Sequence, residues 1–191
     1  MGAAVIAQPI PTYIPRVTYR AARSQDARAL VKLRNIGSSG LEACAWQEEA
    51  QPGESFNEVG TRTLRRIGSD PNCHVAEIDG APIGTVSVVH GPKPADSYRP
   101  ELHAGELFVE CVAVHSQWES HGVGARLIGW AEAMARNAGH SRVIVRVFTD
   151  NARAVRLFER LGYQETTQVD IGPNPMIPFS GPLAFMAKTI R

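Results

Sequence analysis

From Leu107 to His115 nearly every residue is apolar, which marks a β-strand buried on both faces. Such a strand requires a sheet with cover on either side. It runs through a short loop into a segment with helical periodicity, Gly122 to Ala138. Leu127, Ile128, Ala131 and Met134 form one apolar stripe there, and Gly139 closes the end in the left-handed position that helix ends favour.

The flanking chain supplies the rest of the sheet. Arg16 to Ala21 reads as a first strand. Ser24 offers an N-cap, with Asp26 in the first turn, to a helix carrying Ala27, Leu30, Val31 and Leu33 and ended by Gly37 and Gly40. The polar, irregular span from Asn35 to Thr61 leads into a short helix around Phe56 to Ile67. His74 to Ile78 and Ile83 to Val89 form a hairpin about Asp79-Gly80. Arg142 to Phe148 is β-rich, and Asn151 to Leu161 is a helix with Ala154, Val155, Phe158 and Leu161 inward, stopped by Gly162. Tyr163 to Asp170 and Leu183 to Ile190 are the last strands, separated by a Pro/Gly-rich loop. The expected class is α+β, a mixed sheet layered with helices. At 191 residues without a composition break, one domain over 16–191 is expected, after a loose leader over 1–15 containing Pro9, Pro11 and Pro15.

Composition narrows the functional classes. A net charge of +1 without a basic stripe or interleaved aromatics argues against a nucleic-acid partner. Cys44, Cys73 and Cys111 are too few and too scattered for a disulfide framework, and no Cys/His spacing suggests a metal. No apolar run approaches the roughly 18 residues of a membrane span. The first residues lack a basic and apolar signal pattern, and Ile6 stands where a myristoylation signal has Ser or Thr. A soluble cytoplasmic protein without membrane attachment or metal is expected.

The chemistry concentrates where the buried strand meets its helix. A helix start presents unpaired N–H groups and partial positive charge, and glycines let an anion approach the backbone. Gly122-Val-Gly124 fits that role. A dinucleotide fingerprint would need Gly or Ala at 127, where Leu127 stands, and no compact βαβ unit precedes it. About thirty residues on comes Asn151-Ala-Arg-Ala154-Val-Arg-Leu-Phe158-Glu-Arg-Leu-Gly162-Tyr163. Together the two stretches resemble the GNAT superfamily of N-acetyltransferases. Its members carry V-x-P-x-x-R/Q-x-x-G-x-G/A at a loop opening a helix, here Val114 to Gly124. Downstream they carry N-x-x-A-x-x-L/F-Y-x-K/R-x-G-F, here Asn151 to Tyr163.

The resemblance covers roughly residues 16–190 and implies a splayed central sheet of about seven strands flanked by helices. It also implies acetyl-CoA as co-substrate and direct transfer to a primary amine of a small molecule or peptide. Members are commonly homodimers. Backbone amides from Glu119, Ser120, His121, Gly122, Val123, Gly124 and Ala125 would clasp the pyrophosphate. The strand edge Val112, Ala113 and Val114 would pair with the pantetheine arm, and the Asn151 side chain would bond it. Arg126, Arg153 and Arg156 are within reach of CoA phosphates in this reading.

Three departures from the family pattern matter: Ser116 for Pro, Glu119 for Arg or Gln, and Phe158 for a Tyr that protonates the departing thiolate. Because Glu119 sets a carboxylate near the pyrophosphate and Phe158 has no proton to give, a CoA-binding regulatory module with little or no turnover stands as the alternative function. For the base that deprotonates the amine, Glu110 is the candidate and Glu106 the substitute. Period-two counting puts both on the face of Val112 and Val114, and a carboxylate in an apolar strand is costly unless paired or functional. Between Arg34 and Arg62 no basic residue occurs, while Glu42, Glu48, Glu49, Glu54 and Glu58 do. With Trp46 and Phe56 they are expected to line an acceptor wall suited to a cation.

Overall fold

The computed structural model describes residues 16–37, 71–95, 99–171 and 181–191, with positions 53, 55 and 58 besides. The elements are β1 (Thr18–Ala21), α1 (Ala27–Gly37), β2 (Cys73–Ile78), β3 (Ala81–His90), β4 (Glu106–Val114), α2 (Val123–Asn137), β5 (Arg142–Phe148), α3 (Ala152–Arg160), β6 (Gln164–Val169) and β7 (Leu183–Thr189). A 3-10 turn over Ser24–Asp26 leads into α1, so the expected cap at Ser24 sits inside a turn. The short helix expected around Phe56 to Ile67 lies outside the described residues.

One mixed sheet of seven strands runs in the order β1-β2-β3-β4-β5-β7-β6. Its fold class is the α+β class expected from the sequence. β2 and β3 form the hairpin, with Asp79 at φ 49° and Gly80 at φ 81°, both positive as a tight two-residue turn requires. β4 and β5 are the parallel neighbours, connected by α2. Alternate residues of β4 separate the two faces. Leu107, Val109, Val112 and Val114 pack with α2 and α3, whereas Cys111 and Ala113 pack with α1. Phe108 belongs to a third cluster with Ile144, Phe148, Leu183 and Phe185.

The series Leu107, Val109, Val112, Val114 is not a period of two. β4 carries a β-bulge against β3: Ser87 pairs with Cys111, but Val88 pairs with Val109, leaving Glu110 as the extra residue. The bulge reverses parity along the strand. Glu106 therefore lies on the Phe108 side, not with Val112 and Val114, which corrects the face assigned by counting.

α2 lies close on β3 because Gly84 has no side chain. A Cβ there would meet Leu127 Cδ1 at 3.1 Å, Ala113 O at 3.2 Å and Val123 Cγ1 at 3.2 Å. Further along, the His74 ring of β2 stacks on Trp130 of α2, with centroids 3.8 Å apart and planes at 20°. Burial lowers the His74 pKa from 6.5 to about 4. The native state then binds fewer protons than the unfolded chain between those values. His74 contributes its full stability above pH 6.5 and loses it as the pH falls toward about 4. His140, lowered by burial and by His90, adds in the same sense. Substituting His74→Phe keeps a stacked ring and removes the titration. Urea midpoints of the variant are expected to rise less steeply with pH across this window than those of the parent; parallel slopes would show that His74 is solvated.

Candidate active site

β4 and β5 are bonded only from Glu106 opposite Arg142 to Val109 opposite Val145. Beyond that pair the strands part. The fork opens a cleft of about 690 Å³ between the free edge of β4, the start of α2 and the face of α3. Its walls include Glu110 to Val114 on one side, Val145 to Phe148 on the other, and Asn151, Ala154, Leu157 and Phe158. A strand edge released from pairing still carries its N–H and C=O groups, so it can take an extended ligand as an added strand.

At the mouth the backbone is shaped for an anion. A short 3-10 turn, Ser116–Trp118, leads into Ser120 at φ 62° and Gly122 at φ 79°. Gly122 is the N-cap of α2, and the first intrahelical bond is donated by the Arg126 N–H to Gly122 O at 3.1 Å. The amides of Val123, Gly124 and Ala125 precede it, in the helix turn whose donors have no intrahelical acceptor. Gly124 has its Cα turned toward the gap between Leu157 and Val114, where a Cβ would lie 3.5 and 3.7 Å from their side chains. Glu119, Ser120, Gly122, Gly124 and Ala125 line the cleft. The Val123 side chain is instead in the core at 2% exposure, and the His121 ring lies outside the lining, its Nδ1 2.8 Å from Glu119 O.

Charge at the mouth is arranged differently from the motif expectation. The Glu119 carboxylate is ion-paired with Arg153 of α3. Arg153, Arg156 and Arg160 follow at helical spacing and all line the cleft. The acidic residue that departs from the family pattern is thus matched by an arginine brought in from the second motif. Arg126 is not among the lining residues; its guanidinium lies 6.0 Å from the Tyr19 ring centroid.

Asn151 caps α3, its Oδ1 accepting from the Ala154 N–H at 3.2 Å, so a ligand contact would fall to its Nδ2. Phe158 lies on the cleft floor and meets Tyr163 edge to face at 5.8 Å. Tyr163 does not replace the missing hydroxyl: it does not line this cleft, and burial together with Glu132 pushes its pKa far up.

The two candidate bases separate. Glu110, the bulged residue, lines the cleft. Glu106 is 6% exposed, away from the lining, and both of its oxygens are committed. Arg142 Nη1 donates to Oε1 at 2.7 Å and the His103 N–H to Oε2 at 2.8 Å. It clamps the start of β4 to that of β5. Trp46, Glu48, Glu49 and Phe56 lie outside the described residues. Of the acidic span, Glu58 is described, and its Oε2 accepts from the Ser55 N–H at 2.8 Å and hydroxyl at 2.6 Å.

Arg146 was not anticipated. It lines the cleft from β5, its Nη2 donating to Glu110 O at 3.1 Å and its Cζ 5.5 Å from the Phe108 centroid. The signal was present in Arg142-Val-Ile-Val-Arg146-Val-Phe148, a charged residue in an otherwise apolar strand, as for Glu110.

The fold has close counterparts among solved structures. The ribosomal-protein-S18-alanine N-acetyltransferase from Escherichia coli matches with TM-score 0.62 at 16% identity, covering 92% of this chain and 94% of that one. The ribosomal-protein-alanine N-acetyltransferase from Brucella melitensis matches with TM-score 0.64 at 23% identity, covering 91% and 99%. YncA from Salmonella typhimurium, solved with its cofactor acetyl-CoA, matches with TM-score 0.62 at 22% identity, covering 92% and 94%. No curated protein sequence matches the chain. The sequence model of the acetyltransferase (GNAT) family matches residues 41–163, a stretch that holds both motifs and the fork between β4 and β5. The chain belongs to the GNAT family of acetyltransferases.

Proposed function

We propose that the protein transfers an acetyl group from acetyl-CoA to a primary amine by direct attack within a ternary complex. The observation that carries this reading is the open β4 edge leading into the α2 start, with three α3 arginines alongside. An extended arm ending in a pyrophosphate fits that succession of features: strand edge, then amides, then cations. Acetyl-CoA, when bound, supplies the activated acyl group as a thioester. The amides of Ser120 to Ala125 hold the pyrophosphate, the Glu119 N–H being taken by Ser116 O at 3.3 Å, and the edge from Val112 to Val114 holds the arm.

Glu110 takes the proton from the acceptor ammonium, directly or through one water, so that the amine nitrogen can bond to the acetyl carbon; as the C–S bond breaks, the nitrogen gives up its second proton to the departing thiolate or to water. The departing thiol has an ordinary pKa of about 8.5, low enough for a thiolate to leave without a dedicated acid. Positioning supplies much of the rate, since a well-oriented amine has an effective molarity of roughly 10⁵ M or more.

The acceptor is an amine on a small molecule or a peptide. The alanine in the names of the Escherichia coli and Brucella enzymes keeps a peptide amine in view. We place Trp46, Glu48, Glu49 and Phe56 on the acceptor side, where acidic residues would draw in a cation. Polycationic amines are then expected to be preferred over monoamines, with KM rising as salt is added. An acceptor panel won by neutral or anionic amines, without salt dependence, would remove this assignment.

Phe158 favours a second reading, a CoA-binding module without turnover. The two are separated by calorimetry with acetyl-CoA beside thiol release over a broad amine panel. Binding with release supports the transferase, whereas tight binding without release from any amine supports the module. No measurable binding rejects both.

A further inference from the structure

The bulge and the fork occur at the same place in β4, and one side chain joins them. The last bonded pair of the parallel ladder is Val109 with Val145. The next residue on β4 is the bulged Glu110, and the next on β5 is Arg146. In a continuing sheet the Glu110 carbonyl would find a backbone donor. Here it is met by the Arg146 side chain, Nη2 to O, at 3.1 Å. The guanidinium is itself seated near Phe108, 5.5 Å from its ring centroid, beside the apolar cluster of Ile144, Phe148 and Phe185. A planar donor group with several N–H groups can hold one carbonyl in a fixed direction while resting on an aromatic face.

The direction of that carbonyl bears on the next donor along the strand. In an extended strand, C=O of residue i and N–H of residue i+2 point to the same side. Pairing between β4 and β3 is regular again from Cys111 opposite Ser87 and Val112 opposite Val86. The His115 N–H donates to Ile83 O of β3 at 2.7 Å, so alternation back along the regular stretch turns the Val112 N–H away from β3, to the open fork where Arg146 meets the Glu110 carbonyl. The Val112 N–H sits on the next peptide, joined to the 110–111 peptide through the Cys111 Cα, so a bulge held by its carbonyl fixes where the strand carries that donor.

We propose that Arg146 is a positioning residue: by holding the bulge carbonyl of Glu110 it keeps the fork open and aims the Val112 N–H at the thioester carbonyl. This rests on the acetyl-CoA reading above. The expected consequence is polarisation of the acyl carbonyl without tighter binding of the whole cofactor, because most of the CoA contacts lie farther along the cleft.

The test uses the full chain, with acetyl-CoA carrying ¹³C at the acetyl carbonyl as the probe and no acceptor needed. The infrared band of the labelled carbonyl is read on the bound probe, and affinity is read by calorimetry. In the parent protein the band is expected at lower wavenumber than in free acetyl-CoA. In Arg146→Met it is expected to return toward the free position while Kd stays within about threefold, a change of roughly 0.7 kcal/mol. Arg146→Lys, which keeps a charged donor, is expected to restore much of the shift. If the Met variant does not fold, Arg146→Gln serves, its shorter amide losing the contact and the shift. A parental band in Met or Gln overturns the proposal. So does a loss of binding and of thermal stability together, which is what a merely structural arginine would give. A parent that binds the probe with no shift also overturns it, leaving the CoA reading intact, whereas a parent that binds no acetyl-CoA overturns both.

Discussion

Gly124→Leu is expected to weaken acetyl-CoA binding by tenfold or more, about 1.4 kcal/mol, while the protein remains folded. The position tolerates a side chain as far as the protein itself is concerned: a Cβ would meet Leu157 and Val114 at 3.5 and 3.7 Å, ordinary contact distances. Helix propensity would even favour the change. Leu157 and Val114 line opposite walls of the cleft, however, so a branched side chain added between them extends into the space the arm must cross. Gly124→Ala, adding one methyl group, should lose less. Isothermal calorimetry on the three proteins, with melting temperatures alongside, checks this. Equal affinities for Leu and parent would show that the pyrophosphate does not approach the backbone there.

Much of this arrangement could be read from the residues in order. The turn residues Asp79 and Gly80 announce the hairpin because few other pairs accept two successive positive φ values. β5 runs over Arg142–Phe148 as anticipated, and the helix ends at Gly139 and Gly162 are set by the same left-handed preference. The bulge was invisible for a physical reason. A strand that is apolar on both faces has no alternation to interrupt, so the extra residue at Glu110 leaves no mark in the polarity pattern. That blindness also misplaced Glu106, which the fold fastens to Arg142 of the neighbouring strand and to the His103 N–H just before β4. The pairing of Glu119 with Arg153 was hidden similarly. Each motif was legible alone, but only the fold sets the α3 arginines against the loop before α2.

Glu110→Gln is expected to lower kcat/KM for the amine by about 10²-fold, the usual scale for loss of a general base. The deficit should be greatest at lower pH. There the acceptor is mostly ammonium and must surrender a proton within the complex, whereas at high pH free amine arrives already deprotonated and needs less help. Acetyl-CoA affinity should stay near the parental value, because the Gln side chain has nearly the same shape and the strand edge that binds the arm is backbone. Glu106→Gln provides the contrast. Its carboxylate bridges Arg142 and the His103 N–H at 8% side-chain exposure, so its substitution should lower the melting temperature and leave the pH dependence of turnover unchanged. The bulge gives the distinction its physical basis: of the two carboxylates in β4, the fold sends one to the open fork and uses the other to fasten the strands below it. A Glu110→Gln enzyme with the parental pH–rate profile would remove the residue from proton transfer, and water would then have to accept the proton in its place.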